Sequence, residues 1–389
     1  MPSGAEGQNN EVRIGVLGFG LRSGLAALAH RPGEGARVTA VCDPRPERWE
    51  RAREIYTDAL VTGVETELLA AELDAVFVLS PDHLHEQHAV AALEAGIAVY
   101  LEKPMAVSTA GCDRILAAAR RTGSKLYVGH NMRHLPVIQA MRRLIVDGAI
   151  GEVKAVWCRH FVGHGGDFYF KDWHAEREKS TGLLLQKGAH DIDVIHWLAG
   201  GYTRRVNAMG ALTVFGQVAE TAEQADYLPP EGWSHLGTWP PLTQTGLNPA
   251  LDVEDLSMMT MALDNGVFAT YQQCHYTPDY WRNYTVIGTQ GRLENFGDSA
   301  GAQVKVWNTR RRGYPDEADQ TVVIGEATGG HGGADPEIVG EFLRFVRDGE
   351  PTLTSPVAAR EAVAAGCAAT ESLRAGGAAV DVPEPPAMC

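Results

Sequence analysis

The chain has 389 residues, which is too long for one compact core and predicts two domains. Its 34 Lys and Arg against 49 Asp and Glu give a formal net charge of −15, which disfavours nucleic acid and anionic membranes as partners. The hydrophobic fraction of 44% is that of an ordinary globular protein, and no apolar run approaches the roughly 20 residues of a membrane helix.

The first residues and the cysteines favour a cytoplasmic protein. Residues 1–10 are small and polar, unlike a signal peptide, and we expect them to form a disordered tail. The six cysteines include no CxxC pair, so we expect buried thiols in a reducing compartment rather than a disulfide framework.

Residues 11–130 alternate short apolar runs with helical patterns. Unbroken apolar strands, each followed by a helix, are typical of a parallel sheet covered on both faces. The pattern predicts a doubly wound, Rossmann-type dinucleotide-binding domain. Its predicted strands are 12–17, 38–42, 75–79, 98–101 and 126–128. Its predicted helices are 23–30, 46–55, 83–95 and 109–121.

Beyond residue 131 the strands lengthen and helices become fewer, which indicates a large, open and mostly antiparallel sheet. We predict a second α+β domain over 131–389 for substrate binding and oligomerisation, with its C-terminal helices packing back on the first domain. Residues 217–251, with five prolines and two tryptophans, form a predicted insertion loop that is a candidate lid or interface arm. The predicted helices are 136–147, 183–198, 336–347 and 357–375. The predicted strands are 152–162, 205–215, 255–263, 266–277, 281–287 and 303–308.

The segment 18–24, GFGLRSG, follows the first predicted strand and opens a helix, as a dinucleotide fingerprint does. Its first two glycines permit the turn and let a diphosphate approach backbone N–H groups. The third glycine falls one place late, so a glycine-rich turn in a non-nucleotide α/β fold is the alternative. The candidate cofactor contacts in this segment are Gly18, Phe19, Gly20, Leu21 and Arg22.

Asp43 ends the second predicted strand, where a carboxylate hydrogen-bonds the adenosine ribose and favours NAD. Arg45 and Arg48 follow closely, and either could hold a 2′-phosphate, which leaves NADP open.

The segment 100–104, YLEKP, ends a buried parallel strand at the edge where doubly wound folds bind ligands. A strand emerging into solvent would explain Lys103 alone, but not the Glu102-Lys103-Pro104 combination.

Together with Ser80-Pro81-Asp82-x-x-His85 and the later GLLLQKGAHDID segment, these motifs resemble the Gfo/Idh/MocA family of glucose–fructose oxidoreductase and inositol dehydrogenase. Residues 288–294 also resemble that family's second-domain signature, so the resemblance covers nearly the whole chain. It implies NAD(P)-dependent hydride transfer at a carbinol carbon of a sugar, an aminosugar or a cyclitol. The cofactor contacts that it adds are Ser80, Pro81, His83, His85, Glu102 and Lys103.

The resemblance also implies a reactive pair, Lys103 and His190. Oxidation of a carbinol needs a base for the hydroxyl proton, which suits histidine, while an ammonium can hold the oxygen as charge develops. Helical spacing places Gln186, His190, Asp193 and Trp197 on one face, so Asp193 is a candidate to fix the tautomer of His190. A histidine packed into a buried network is the structural alternative.

One position departs from the family pattern. Many members carry a carboxylate where this chain has Gln186, and an amide can bind a hydroxyl but cannot accept a proton. This puts assignment to inositol dehydrogenase proper in doubt. We expect the neighbouring Lys187 to form an ordinary i,i+4 ion pair with Asp191.

The other histidines of the second half lie on predicted strands and loops. None has the HxxxH or HExxH spacing of a zinc site, so we predict no metal. Aromatic faces and flanking polar groups suit a sugar, although loop anchoring would explain them equally well. The candidate substrate contacts, besides Gln186 and His190, are Asn131, Arg133, Tyr169, Lys171, Trp173 and His174.

Two other functions remain open from the sequence. One is a redox-neutral, glycoside-processing enzyme with tightly bound NAD, and the other is a non-catalytic nucleotide-binding regulatory subunit. We expect a homodimer or homotetramer, because an open sheet leaves a broad face that a second subunit can cover.

Overall fold

The computed structural model describes residues 11–222, 238–326 and 329–386. The predicted tail 1–10 and the central part of the predicted insertion, 223–237, lie outside the described residues. Within the ranges described, none of the helices combines the length and the apolar character that crossing a membrane requires.

The first half of the described chain folds around a six-stranded parallel sheet with the order β3-β2-β1-β4-β5-β6. This is the Rossmann order, and the crossover from β1 to β4 opens a crevice at the carboxyl ends of the strands. The short strand β3 was not predicted, because three residues carry no periodicity. The strands are β1 Val12–Leu17, β2 Ala36–Cys42, β3 Leu60–Thr62, β4 Ala75–Val78, β5 Ala98–Leu101 and β6 Leu126–Val128.

Local signals explain the helices that cover this sheet. For the longest of them, Ser108 accepts a hydrogen bond from the N–H of Gly111 at the N-terminus, and Gly123 ends the helix with φ 72°. The predicted helix 83–95 begins later than expected because Asp82–Leu84 forms a 3-10 turn. The helices are α1 Gly24–Ala29, α2 Trp49–Ile55, α3 Glu65–Leu69, α4 His85–Glu94 and α5 Thr109–Thr122.

The second half contains a nine-stranded sheet that is antiparallel except for the β7–β10 pair. The two sheets confirm the predicted fold class. Strands β12, β14 and β15 were not predicted as strands; β14 and β15 are short, and β12 overlaps the family signature segment. The strands are β7 Val153–Val162, β8 Thr203–Ala211, β9 Leu256–Leu263, β10 Phe268–Cys274, β11 Tyr280–Gly288, β12 Arg292–Phe296, β13 Gln303–Trp307, β14 Gln320–Val323 and β15 Val380–Asp381.

Helices pack on one face of this sheet, and the other face carries exposed apolar side chains such as Trp157 and Phe268. The predicted helix 183–198 is divided at Lys187, which keeps helical dihedral angles. The helices of this half are α6 Pro136–Val146, α7 Gly165–Tyr169, α8 Arg177–Ser180, α9 Leu183–Gln186, α10 Gly188–Ala199, α11 Ala334–Asp348 and α12 Pro356–Arg374.

Both C-terminal helices contact the first half. The fully buried ring of Phe342 on α11 lies 5.2 Å from the ring of Phe77 and 5.4 Å from that of Tyr100, measured between centroids. On α12, the buried Arg360 donates to Asp113 of α5 at 2.9 Å. These contacts pack the two C-terminal helices against the first half.

We predict that Phe342→Ala lowers the free energy of unfolding by about 3–5 kcal/mol, because it leaves a cavity between buried aromatic rings. Val146→Ala, at a position that is 67% exposed, is the control and should change it by less than about 0.5 kcal/mol. Urea unfolding measures both. Equal stabilities for the two variants would contradict the role of Phe342 in docking α11.

Candidate active site

The glycine turn after β1 leaves room for a nucleotide diphosphate. Gly18 has φ +89°, and a Cβ there would lie 2.7 Å from the backbone nitrogen of Ser80, so only glycine fits. A Cβ on Gly20 would meet only the guanidinium of Arg48, at 3.2 Å. An open backbone beside a cation fits a nucleotide cofactor.

Asp43 lies beside this turn and is 2% exposed. Its carboxylate accepts hydrogen bonds from the backbone N–H groups of Phe19 (2.8 Å) and Arg45 (3.0 Å) and from the guanidinium of Arg48 (3.0 Å). A carboxylate has about four acceptor positions, so capacity for a ribose hydroxyl remains. Arg48 is the arginine placed to meet a 2′-phosphate. The backbone N–H of Phe19, a predicted cofactor contact, already donates to Asp43.

Arg22 connects the turn to two other segments. Its guanidinium donates to Glu102 at 2.6 Å and to Asp335 at 3.0 and 3.1 Å. Burial alone would lower the pKa of Arg22, but these two carboxylates raise it above its usual value. The predicted role of Arg22 as a direct cofactor contact is corrected accordingly, since its side chain is engaged within the protein. The exposed Leu21 makes no comparable contact.

The loop after β4 is bound to the loop after β5 through His85. The two ring nitrogens of His85 lie 2.7 Å from the carbonyl oxygen of Pro104 and 2.9 Å from that of Ser80. The Ser80 hydroxyl in turn lies 2.9 Å from Nδ1 of His88. His85 therefore positions these loops, including Pro81, rather than presenting its ring to a ligand as predicted.

Polar side chains cluster around Lys103, and we call the cluster of Lys103, Asp82, Tyr169, Gln186 and His190 the pocket. The ammonium of Lys103 donates to the backbone carbonyl of Gln186 at 3.4 Å, and burial lowers its pKa. The carboxyl group of Asp82 lies beside the side chain of Gln186, and burial raises its pKa. The buried ring of Tyr169 also borders Lys103. The sequence reasoning quoted Asp82 within the Ser80-Pro81-Asp82-x-x-His85 motif but did not assign it to the site.

His190 lies one turn after Gln186, on the same side of the pocket. Burial lowers its pKa well below the usual value, and the nearby Lys103 and Lys187 lower it further. The imidazole is therefore neutral at pH 7. Its Nδ1 has no hydrogen-bond partner among the described residues. A neutral ring with an open nitrogen can accept a proton.

The predicted contact between Asp193 and His190 is wrong. Both carboxylate oxygens of Asp193 accept from the guanidinium of Arg133, at 2.6 and 2.8 Å, and Arg133 also donates to the carbonyl of Leu353. Burial would raise the pKa of Asp193, but Arg133 holds it below its usual value. Asp193 and Arg133 form a buried ion pair between α10 and the turn before α6, so neither is placed to contact a substrate.

The remaining predicted substrate residues divide into two groups. Trp173 stacks on His174 with ring centroids 3.7 Å apart, and its edge faces His83 at 6.1 Å, beside the loop after β4. Asn131 instead donates to Asp335 at 3.3 Å, and Lys171 pairs with Asp167 at 2.9 Å. Trp173 and His174 therefore lie near the pocket, whereas Asn131 and Lys171 make packing and loop contacts.

Lys187 does not form the expected ion pair with Asp191. That carboxylate is bound by Arg282, Tyr284 and His160, and Arg282 approaches it at 3.0 Å. Lys187 is only partly buried, and its ammonium lies over the ring of Tyr169, 5.5 Å from the centroid. No carboxylate oxygen of the described residues lies within ion-pairing distance of it.

The arrangement joins an open glycine turn, a partly buried ammonium and a neutral histidine at the carboxyl edge of a Rossmann sheet. It offers a place for a dinucleotide, a proton acceptor and a cation for a developing oxyanion. Among the described residues, no group of three or more His, Cys, Asp or Glu side chains is arranged to hold a metal ion.

Family models match both halves. Residues 12–130 match an oxidoreductase family with an NAD-binding Rossmann fold, and residues 138–294 match the GFO/IDH/MocA C-terminal domain. The chain belongs to the Gfo/Idh/MocA family. This confirms the resemblance stated from the sequence. It also shows that the chain belongs to a family of oxidoreductases with an NAD-binding domain.

Curated relatives extend this result. A putative oxidoreductase, YteT, of Bacillus subtilis is 27% identical over 79% of this chain and 82% of its own length. A 2,7-anhydro-N-acetylneuraminate hydratase of Mediterraneibacter gnavus is 30% identical over 54% of both chains. An inositol 2-dehydrogenase of Saccharopolyspora erythraea is 33% identical over 50% of this chain and 56% of its own. The chain thus spans about half the length of the last two relatives.

Solved structures share the fold. A levoglucosan dehydrogenase in complex with NADH and levoglucosan has a TM-score of 0.77 at 19% identity, over 96% of this chain and 100% of that one. A putative myo-inositol dehydrogenase from Sinorhizobium meliloti has a TM-score of 0.69 at 20% identity, with the same coverage. At these identities the likeness shows the fold alone.

We predict that Gly18→Ala destabilises the protein by about 1–3 kcal/mol, through strain at positive φ and the clash with Ser80, and removes its thermal stabilisation by NAD. Gly24→Ala is the matched control, because a Cβ there meets nothing within 4 Å. It should retain the response to NAD. A Gly18→Ala variant with wild-type stability and NAD response would refute this account of the turn.

A double-mutant cycle tests the buried ion pair. We expect Arg133→Met and Asp193→Leu each to cost about 3–5 kcal/mol in urea unfolding, because each leaves one charge unpaired. The double variant should lose much less than the sum. Arg347→Met, at the exposed pair with Asp348, should cost less than about 0.5 kcal/mol. Additive losses would show that Asp193 and Arg133 are not coupled.

Proposed function

We propose that the protein transfers a hydride between NAD and a carbinol carbon of a sugar, an aminosugar or a cyclitol. The observation that carries this is a group of buried polar atoms around Lys103 that have no partner within the described residues: Asp82 Oδ2, Gln186 Oε1 and His190 Nδ1. Buried polar atoms normally have hydrogen-bond partners. A ligand with several hydroxyl groups would supply them.

NAD, when bound, accepts the hydride from the carbinol carbon or returns it. The backbone at Gly18 and Gly20 would hold its diphosphate, and Asp43 would bind its ribose. The association of Arg48 with Asp43 keeps NADP as an alternative, because Arg48 could turn to a 2′-phosphate. We retain NAD as the proposed cofactor, since the matched family model describes an NAD-binding fold.

In the oxidative direction, neutral His190 accepts the hydroxyl proton as the C–H bond delivers its electron pair as hydride. The ammonium of Lys103 stabilises the negative charge that develops on the oxygen. Asp82 and the Gln186 amide orient neighbouring hydroxyls. The carbonyl product then leaves, and His190 releases its proton to solvent. Reduction runs through the same groups in reverse.

The names of two relatives support this reaction, and the name of a third supports an alternative reaction without net redox change. Inositol 2-dehydrogenase and levoglucosan dehydrogenase are names for carbinol oxidation, whereas a hydratase name fits redox-neutral chemistry. A non-catalytic nucleotide-binding role is the other alternative.

We further propose a homodimer or homotetramer that covers the open sheet face. The cytoplasmic location stays a prediction.

We predict that NAD⁺ and a panel of polyols give reduced nicotinamide with the wild-type protein, and that His190→Ala lowers kcat/KM by about 10²–10⁴-fold through loss of the base. Stabilisation by NAD should survive in that variant. His30→Ala, outside the pocket, should leave turnover unchanged. Undiminished turnover in His190→Ala would remove His190 from the mechanism.

The same assays separate the rivals. Product formation without net reduced nicotinamide, from protein that copurifies with nucleotide, would support the redox-neutral enzyme. Stabilisation by NAD with no turnover of any polyol would support the regulatory subunit.

A further inference from the structure

The cations in and around the pocket are not all paired with a carboxylate. Arg282 has Asp191 as its partner, and Glu102 is bound by Arg22. Lys103 and Lys187 have no carboxylate oxygen within ion-pairing distance among the described residues. A partly buried cation without a carboxylate partner favours an anionic ligand, and both lysines stand beside the buried ring of Tyr169.

Lys187 lies at the junction of α9 and α10. It follows Gln186, whose carbonyl accepts from Lys103, and its ammonium lies over Tyr169. The groups around it come from several elements of the second half, and a neighbouring histidine, His275, is fully buried with neither ring nitrogen partnered within the described residues. The charged and titratable groups around the ammonium are Arg282, Lys103, Asp191, Asp298, His160, His164, His190, His275 and Tyr169.

We propose that Lys187 binds a carboxylate of the substrate, so that the polyol oxidised at Lys103 and His190 is a sugar acid. This rests on the proposed function and narrows it. A sugar hydroxyl cannot neutralise an ammonium, whereas a carboxylate can, and it can also accept N–H bonds from neutral histidines. A monoanion suits a single ammonium better than a phosphate dianion does, because Arg282 is already committed to Asp191.

The protonation of Lys187 fits this role. Burial and the neighbouring Arg282 lower its pKa to about 7. The ammonium form binds the carboxylate, so the preference for an acid falls as pH rises through this value. The competing role for the same residue is proton acceptance in the reaction itself, which arginine could not perform, since it stays charged at neutral pH.

Calorimetry on the NAD⁺-loaded protein tests the proposal without requiring turnover. The probes are D-glucuronate against D-glucose, with D-gluconate and D-glucose 6-phosphate as further arms. We expect the wild type to bind an acid about tenfold or more tighter than glucose, as a charged hydrogen bond provides. Lys187→Met should abolish this preference while leaving glucose binding unchanged, and Lys187→Arg should keep it. Lys154→Met, at an exposed lysine on β7, controls for net charge.

Several results would overturn the proposal. They are equal wild-type binding of acids and glucose, an acid preference that persists in Lys187→Met, or tightest binding of the phosphate. Loss of kcat in Lys187→Arg with acid binding intact would reassign Lys187 to proton transfer. Stabilisation by NAD reports folding of each variant. If no polyol is turned over while acid binding depends on Lys187, the proposed reaction fails but the carboxylate site stands.

Discussion

One guanidinium joins the three segments on which the site depends. Arg22, in the glycine turn, binds Glu102 at the end of β5 and Asp335 at the start of α11, and Glu102 accepts from the backbone N–H of Lys103 at 2.5 Å. Buried carboxylates are unfavourable without their cation, so these segments hold one another in place. The nucleotide turn and the reactive ammonium therefore share one rigid frame, which is what hydride transfer over a short distance requires.

Sequence patterns located most elements of the fold but not the contacts between them. Apolar runs and glycines placed the long strands, whereas β3 is too short to carry a pattern. The pairing of Lys103 with His190 came from family resemblance, because periodicity does not tell which elements of two halves meet. Helical spacing suggested the wrong partner for Asp193, since Arg133, 60 residues away, occupies its carboxylate. The i,i+4 rule failed for Lys187 because it describes exposed helices, and α10 is almost entirely buried.

Several cations lie in and around the pocket although the chain as a whole is acidic. The net charge is −15, yet Tyr169 has Lys103, Lys187 and Arg282 near it, together with Asp82 and Asp172. At physiological ionic strength, charges further apart than about 8 Å are largely screened in solvent, so the acidic exterior acts weakly on the interior. Inside the pocket the lower dielectric strengthens each local interaction. An acidic protein can therefore bind an anion, with the exterior affecting the rate of encounter more than the affinity.

The same electrostatics suit an amide at residue 186, because the side chain of Gln186 lies beside the carboxyl group of Asp82. A carboxylate there would lie beside the carboxyl group of Asp82, and two adjacent negative charges in a buried site repel. An amide can donate to Asp82 when it is ionised and accept from it when it is protonated. Burial raises the pKa of Asp82, and the amide of Gln186 can pair with that carboxyl group whether it is ionised or protonated. The pocket thus keeps one carboxyl group, that of Asp82, beside Lys103.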